Sequence, residues 1–592
     1  MIISNSYIVS KAFGTFLFAS ILTGLAKQLR VIADSVIVSN FVDPNALSAI
    51  NLYYPLETLF IAIVAAIIFG SSIHGAVEIG KQNNKRVSEY FSSALLVALP
   101  VMALLVCCSY LFFPQLINLL VDAGEPLLCN LTGDYTRVML LNFIPYTFIY
   151  ALQVFTSIDG RPGLVTLSIL VSFALNVLLD LLLTAVIPLG IAGAAWATVI
   201  SNLVGLFVLL PNVLKGRSSF KFTFPKKALS LVGSSLKQGV PLCMGDILLA
   251  ILVFVLNQMV LDYLGPSGTY LFAIMMQIIF FGGNLLEGVA DLNNSIGGVL
   301  LGERDYSGLR NLIHRSCTVV FIFGVALTAL TLLWPEGVVR LFGDAEESVA
   351  AAYADNLRII SLFIIPYLLF IFNTDVHILV KKEFLSTFFL ILQFCLMLIV
   401  PWIFVKWAGT YFWWSFPILT IVLLVLQLTV AFVVHFQTHT RSRICLLPML
   451  PDEVGVNFSV NYSEKSVQEN LNKIRMFLGI CELQPNEENR IMLCCEELAY
   501  NIFKYSADKD CRHFFDIRIT DLEKQIEVRI KDAGKPFNPI VHAEKTSLKD
   551  VENGADVHLG LQLVNTLCNH MSHKYMFGLN VTVLLFDVRK TN

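Results

Sequence analysis

Long apolar runs separated by short polar segments fill the first three quarters of the chain, near 12–39, 47–74, 89–114, 135–158, 163–187, 190–211, 236–263, 268–296, 311–335, 353–380, 384–405 and 411–436. Each is long enough to cross a hydrocarbon core of about 30 Å as a helix, so the pattern predicts twelve membrane spans. After Arg441 and Arg443 the pattern changes abruptly, with Pro448 and Pro451 marking a linker. Amphipathic and alternating segments then predict helices over 465–479 and 486–507, strands over 512–520 and 525–531, a helix over 558–570 and a strand pair within 572–588. The expected fold is an all-α polytopic bundle of twelve transmembrane helices, followed by a soluble α/β sandwich. The expected domains are a six-helix lobe over 1–220, a second over 221–440, a linker and domain entry over 441–464, and the α/β domain over 465–592.

Composition agrees with the pattern. The 592 residues include 44 Phe, and only 14% are charged, whereas a soluble domain carries about 25%. The mean hydropathy is +0.71. A net charge of -3 argues against nucleic acid as a partner and leaves the lipid bilayer as the main environment. The twelve cysteines form no CxxC, and the adjacent pairs Cys107-Cys108 and Cys494-Cys495 read as reduced, small apolar residues. Only Lys11 precedes the first apolar stretch, and no AxA-type cleavage site follows it, so that stretch reads as a retained span. With the N-terminus inside, the inner loops receive Lys81, Lys85, Arg86, Arg161, Lys215, Arg217, Lys221, Lys226, Lys227, Arg304, Lys381 and Lys382. The outer loops receive little beyond Arg137, Arg340, Arg358 and Lys406. This asymmetry predicts a multi-pass protein of the cell (inner) membrane with both termini cytoplasmic, which places the α/β domain where ATP is.

The apolar part also repeats itself. Pro44 matches Pro266 and Gly80 matches Gly302, both 222 residues apart; Ile144-Pro145-Tyr146 matches Ile365-Pro366-Tyr367 at 221. Six spans is an even number, so the two copies share one orientation. Two parallel halves about a central cavity form a transporter layout, in which rocking gives alternating access. Ionisable residues inside the spans are costly and functional by default. They include Lys27, Arg30, Asp34, Glu57 and Asp180 in the first half, and Asp246, Glu287, Asp291 and Asp375 in the second. Asn176 and Asp180 lie four apart on one helical face. A carboxylate with an amide one turn away suits a proton or a sodium ion. The plainer alternatives are that Asp34 is the salt-bridge partner of Arg30, that Glu287 and Asp291 are a solvated pair, that Glu57 is structural, and that His74 and His377 pack by hydrogen bonds.

Ala33-Asp34-Ser35 before a short loop, Gly160-Arg161-Pro162 after the fourth span, and Asn176 with Asp180 in the fifth resemble the multidrug and toxic compound extrusion (MATE) transporters over roughly residues 10–436. The resemblance implies cation-coupled (H+ or Na+) antiport of a small organic solute, with Asp34, Asn176 and Asp180 as the cation-coupling cluster. Asp246 and Asp375 are further candidates, because carboxylates in the second lobe couple transport in part of that family. Lys27 and Arg30 depart from the family pattern by sharing the helical stripe of Asp34, and their charge favours an anionic solute.

In the α/β domain, Glu497-Leu498-Ala499-Tyr500-Asn501, with Lys504 a turn later, sets a carboxylate and an amide on one helix face. These are the groups needed to orient a hydroxyl and hold Mg²⁺ between phosphates. Asp532-Ala533-Gly534 follows a strand, where a carboxylate can accept the adenine amino group and the glycine lets the backbone approach the base. Gly560-Leu561-Gln562-Leu563-Val564 opens a helix whose N-terminus suits phosphate oxygens. In this order the pieces resemble the histidine-kinase-like ATPase fold, and within it the anti-sigma-factor serine kinases. That resemblance implies Glu497 as general base, Asn501 as Mg²⁺ ligand, Asp532 at adenine, Gly534 shaping the pocket and Gly560 at the phosphates. Pro536 stands where histidine kinases have a second Gly, and His558 replaces a Gly commonly found two residues before Gly560. Two functions follow. In one, a coupled antiporter carries an ATP-binding domain that regulates it or phosphorylates a protein. In the other, the membrane part is a sensor whose output is a serine kinase acting on an anti-anti-sigma-like or other cytosolic regulatory protein.

Overall fold

The computed structural model describes residues 6–42, 44–121, 126–216, 218–341, 347–438, 455–461, 463–505, 514–522, 524–541, 559–576 and 578–588. The chain divides into two compact units. One comprises Leu17–Arg304 and Ile313–Pro448; the other comprises Met1–Phe16, Asp305–Leu312 and Met449–Asn592.

The membrane helices are α1 (Ser6–Phe41), α2 (Pro44–Gly80), α3 (Asn84–Leu111), α4 (Phe113–Leu120), α5 (Pro126–Ile158), α6 (Pro162–Asp180) and α7 (Ile191–Leu214) in the first repeat. The second repeat has α8 (Ala228–Leu292), α9 (Gly298–Gly302), α10 (Tyr306–Leu333), α11 (Pro335–Leu341), α12 (Glu347–Leu379), α13 (Glu383–Ala408) and α14 (Ser415–Thr438). Among the described residues, ten helices are long and apolar enough to cross a membrane. The expected first and eighth spans are helical but not among those ten. The expected break at Pro266 is absent, because α8 runs through it for 65 residues. At 1.5 Å per residue such a helix is roughly 100 Å long, so it holds two span-lengths; a proline removes one backbone bond without ending a helix that is otherwise apolar.

The two repeats meet through equivalent residues. Ser72 Oγ accepts from Asn294 Nδ2 at 3.1 Å, and the two positions are 222 apart. Gly80 and Gly302, also equivalent, remove the side chains that would keep α2 from α9. A Cβ on Gly302 would lie 1.9 Å from the Val77 carbonyl oxygen, and one on Gly80 would lie 2.0 Å from that of Val299. Small residues at such crossings let membrane helices pack by backbone contact. Gly302→Val is expected to destabilise the bundle by about 1–3 kcal/mol, the cost of overpacking, read as a lower unfolding midpoint in detergent.

The tail is a five-stranded antiparallel sheet in the order β1-β2-β3-β5-β4 with helices on one face. Its elements are β1 (Gly455–Asn461), α15 (Glu464–Ile480), α16 (Pro485–Tyr505), β2 (Phe514–Asp521), β3 (Gln525–Asp532), α17 (Leu559–Leu567), β4 (His570–Met576) and β5 (Leu579–Asp587). The strand β1 lies in the stretch expected as domain entry, so the sheet begins earlier than the pattern suggests; the linker itself, 439–454, lies outside the described residues. Alternation sends Phe515, Ile517, Ile519, Ile526, Val528 and Ile530 into the core against Leu471, Ile474, Ile491 and Leu498 of α15 and α16. Cys494 and Cys495 sit in the same core. Burial there pushes the Cys494 thiol up to about 12, so it packs as a small apolar side chain.

Candidate functional site

In the membrane unit, α1 and α6 bring two carboxyls together that are far apart in sequence. Asp34, in the last third of α1, faces Asp180, the last residue of α6, and the two carboxyls act on each other electrostatically. Asp180 is fully buried; neither of its carboxylate oxygens has a hydrogen-bond partner, and Asp34 Oδ1 has none either. Asn176, one turn before Asp180, donates to Thr198 Oγ1 at 3.4 Å, while its own Oδ1 is unpartnered. A π turn over Leu181–Val186 follows, and Thr184 Oγ1 donates to the Asp180 carbonyl at 2.6 Å. Single π turns inside helices are frequent at functional sites.

Arg30, Glu57 and Tyr135 surround this pair. Arg30 acts on both aspartates electrostatically, and the unpartnered oxygens of Asp180 show that it makes no direct bond to that residue. Tyr135 lies where Glu57, Asp34, Arg30 and Asp180 all act on its hydroxyl, and its ring meets that of Tyr53 edge-on at 5.2 Å. Glu57 is near Arg30 and Asp34. With it, acids outnumber the single described base, which removes the sequence argument for an anionic solute; the Lys27 side chain lies outside the described residues. Two facing carboxyls repel each other when both are charged, and a bound cation relieves that repulsion. Such a pair can take a proton or a small cation, and its oxygen-only donors suit Na+ over softer metals.

The other acidic candidates are elsewhere. Asp375 is half-buried on α12, beside the Thr374 hydroxyl that accepts from Gln427 Nε2 at 3.0 Å. Glu287 is exposed and Asp291 half-buried on α8, and the Asp246 side chain lies outside the described residues. Among the described residues, no three acidic, histidine or cysteine side chains converge as a metal cluster.

In the tail, β3 ends on Asp532, whose Oδ1 accepts from Gly534 N at 2.8 Å and from Asn580 Nδ2 at 3.1 Å. Asn580 lies on β5, directly across from Asp532. It also donates to the Lys535 carbonyl at 2.9 Å and accepts from Phe537 N at 3.0 Å, so the loop after Asp532 is folded around one buried amide. Asn580 belongs to none of the motifs read from the sequence. The signal was present: a polar residue on the core-facing side of an otherwise apolar strand, Leu579-Asn580-Val581-Thr582-Val583.

On α16, Glu497 and Asn501 are half-buried one turn apart and Lys504 is exposed. The first turn of α17 packs against Glu497, since a Cβ on Gly560 would lie 1.9 Å from Glu497 Oε2. The missing side chain is thus what lets the carboxylate reach the helix start, where backbone N–H groups favour anions. Gly560→Ala is expected to push Glu497 aside and lower phosphoryl transfer by about tenfold or more, with the fold retained, measured by radiolabel transfer from ATP. The position of His558 lies outside the described residues.

A duplicated helical bundle with an acid pair between two of its helices, followed by a sheet that ends a strand on an Asp-Ala-Gly turn and carries a Glu- and Asn-bearing helix, defines a secondary transporter joined to an ATPase-type domain. The MatE family pattern matches residues 19–182 and 241–403, and the pattern described as Histidine kinase-like ATPase domain matches residues 464–584. The chain belongs to the MatE family and carries a C-terminal histidine-kinase-like ATPase domain. It is similar to the probable multidrug resistance protein YoeA of Bacillus subtilis, 22% identical over 61% of this chain and 79% of that protein. It is similar also to the multidrug export protein MepA of Staphylococcus haemolyticus, 24% identical over 54% of this chain and 71% of that protein. A MATE family transporter of the MOP superfamily solved in an outward-facing conformation shares the fold, with a TM-score of 0.65 at 20% identity over 72% of this chain and 96% of that one. So does a MOP superfamily transporter from Pyrococcus furiosus described as having a binding pocket of reverse polarity, with a TM-score of 0.64 at 20% identity over the same shares.

Proposed function

We propose that this chain is a cation-coupled antiporter of the cell membrane that exports a small organic solute, with both termini cytoplasmic and the tail reading ATP. The observation that carries the transport half is the pairing of half-buried Asp34 with fully buried Asp180, in which both Asp180 oxygens and Asp34 Oδ1 lack a hydrogen-bond partner. Proton or Na+ binding satisfies them, and release leaves two like charges facing each other, so the pair's occupancy and the shape of the lobe are linked. Asn176 and Tyr135 border the pair and orient the ion or the solute; Asp246 and Asp375 stand as further coupling carboxylates in the second lobe.

The tail's residues fit a nucleotide. Asp532, held by Gly534 N–H and Asn580, accepts the adenine amino group, and Gly534 leaves room for the base. Asn501 would hold Mg²⁺, while Lys504 and the start of α17 at Gly560 receive phosphate oxygens. Bound ATP supplies a transferable γ-phosphoryl group, and Glu497 is placed to take the proton of an attacking hydroxyl from serine. The chain has no GxxxxGK[ST] loop of the kind that powers pumps. ATP therefore serves as a signal or as the phosphoryl donor to a cytosolic regulatory protein.

The test is reconstitution of the full chain in liposomes with a proton or a Na+ gradient, with one cationic and one anionic dye, and with or without Mg-ATP inside. The expected result is dye movement that runs down one ion gradient and changes in rate with ATP. Gradient-independent leakage alone, or no movement of either dye together with intact phosphoryl transfer, would favour a sensor whose output is the kinase.

A further inference from the structure

The middle of the sheet face turned away from the tail's helices is buried. Alternation that sends Ile517 and Val528 to the core sends Arg518, Thr520 and Arg529 to the opposite face, with Val583 beside Arg529 by register. A two-layer sandwich leaves such a face to water, yet Arg529 is 2% exposed, and Val583 and Thr520 are each 4% exposed. The compact unit that holds the tail also takes in Asp305–Leu312, the junction and first turns of α10.

Asp305 is the N-cap of α10. Its Oδ1 accepts from Gly308 N at 3.0 Å and from Ser307 Oγ at 2.9 Å, and its carbonyl accepts from Leu309 N at 2.9 Å. A capping carboxylate is ordinarily solvated, but Asp305 is 7% exposed. The same oxygen lies 3.0 Å from Arg518 Nη1 of β2. Asn457, the cross-strand partner of Arg518 on β1, reaches Asp305 Oδ1 at 3.5 Å and Ser307 Oγ at 3.4 Å, the outer limit of hydrogen bonding. Burial pushes the Asp305 carboxyl up, but Arg518, Lys531, the Gly308 N–H and the Ser307 hydroxyl together hold it below the ordinary carboxylate value, so it is ionised at neutral pH.

We propose that the outer face of the tail's sheet is a docking surface for the inter-span segment Asp305–Leu312, anchored by the Arg518–Asp305 ion pair, through which the tail acts on the first turn of α10. The docking stands on geometry alone; the action on transport rests on the reading of the tail as an ATP-responsive domain. A buried carboxylate that loses its one guanidinium is strongly destabilised, so the sheet and the α10 cap move together or not at all. Strand β3 carries any such movement from the nucleotide side. It ends on Asp532, and three residues earlier its Arg529 pairs in register with Arg518.

The test uses the full chain in membrane vesicles. In Ser307→Cys/Asn457→Cys, a short bis-thiosulfonate reagent is expected to join the two positions, detected as the linked peptide by mass spectrometry and missing from either single variant. No linkage in the double variant overturns the docking. Arg518→Glu, which opposes Asp305 with a like charge, is expected to reduce linkage about tenfold. Asp305→Asn, which keeps the acceptor for Gly308 N–H and so the cap, is expected to reduce it less and to remove most of the added effect of Arg518→Glu. Additive losses would overturn the ion pair as the anchor. The same Arg518→Glu chain is expected to bind Mg-ATP normally but lose the change in flux that ATP produces. Efficient linkage with no effect of ATP on wild-type flux leaves the docking standing and overturns the regulatory reading.

Discussion

Replacing Asp180 by Asn is expected to bring ion-driven solute exchange down to the level of empty liposomes, at least about a hundredfold below wild type, while expression and membrane insertion are unchanged. The amide keeps the shape and buried volume but cannot bind or release a charge, and an interior charge is worth several kcal/mol, or several factors of ten in an equilibrium. The resting fold loses no donor, because Asp180 has none to lose. An unfolding midpoint equal to wild type or slightly higher is therefore expected, since the substitution removes one of two opposed acids. Asp34→Asn should behave alike. Equal, gradient-driven flux in both variants would leave the pair without a coupling role.

Asp532→Ala has the second largest expected effect. The carboxylate organises its own loop through Gly534 and Asn580 and is the acid proposed to accept the adenine amino group. Hydrogen bonds to charged groups are worth about 1.5–3 kcal/mol, which predicts a loss of roughly 10- to 100-fold in ATP affinity. Titration calorimetry of the full chain in detergent reads it directly. Asn580→Ala should weaken binding by about tenfold through the same loop. Unchanged affinity in Asp532→Ala would remove the adenine assignment.

The architecture was legible where it depends on local pattern. Ten of the expected spans are long, apolar helices because about twenty apolar residues are all a bilayer requires. The repeat was legible because Gly80 and Gly302 must both be glycine for the backbones to touch. The expected gap between the spans 236–263 and 268–296 was misleading, since whether a short segment containing Pro266 ends a helix depends on whether its surroundings let the helix continue. Strand β1 was hidden because Gly455–Asn461 closely follows two prolines and gains its meaning only from pairing with β2, some sixty residues later. Candidate site residues were legible as types, and the meeting of Asp34 with Asp180 only through the family resemblance. Asp34 and Asp180 come from different helices, so no spacing rule links them. Asn580 and Arg518 act through cross-strand register, which a single sequence does not display.

In the proposed function, ion coupling moves the solute while ATP is read, not consumed, to drive it. The decisive measurement pairs solute flux under a fixed ion gradient with phosphoryl transfer to cytosolic proteins, for wild type and Glu497→Gln, with Mg-ATP inside the vesicles. Glu497→Gln is expected to bind ATP still, to lose phosphoryl transfer by at least about a hundredfold, and to sustain gradient-driven flux. If flux stops in Glu497→Gln while the gradient is intact, the tail is the engine of transport and the separation of coupled transporter from ATP-reading domain is wrong.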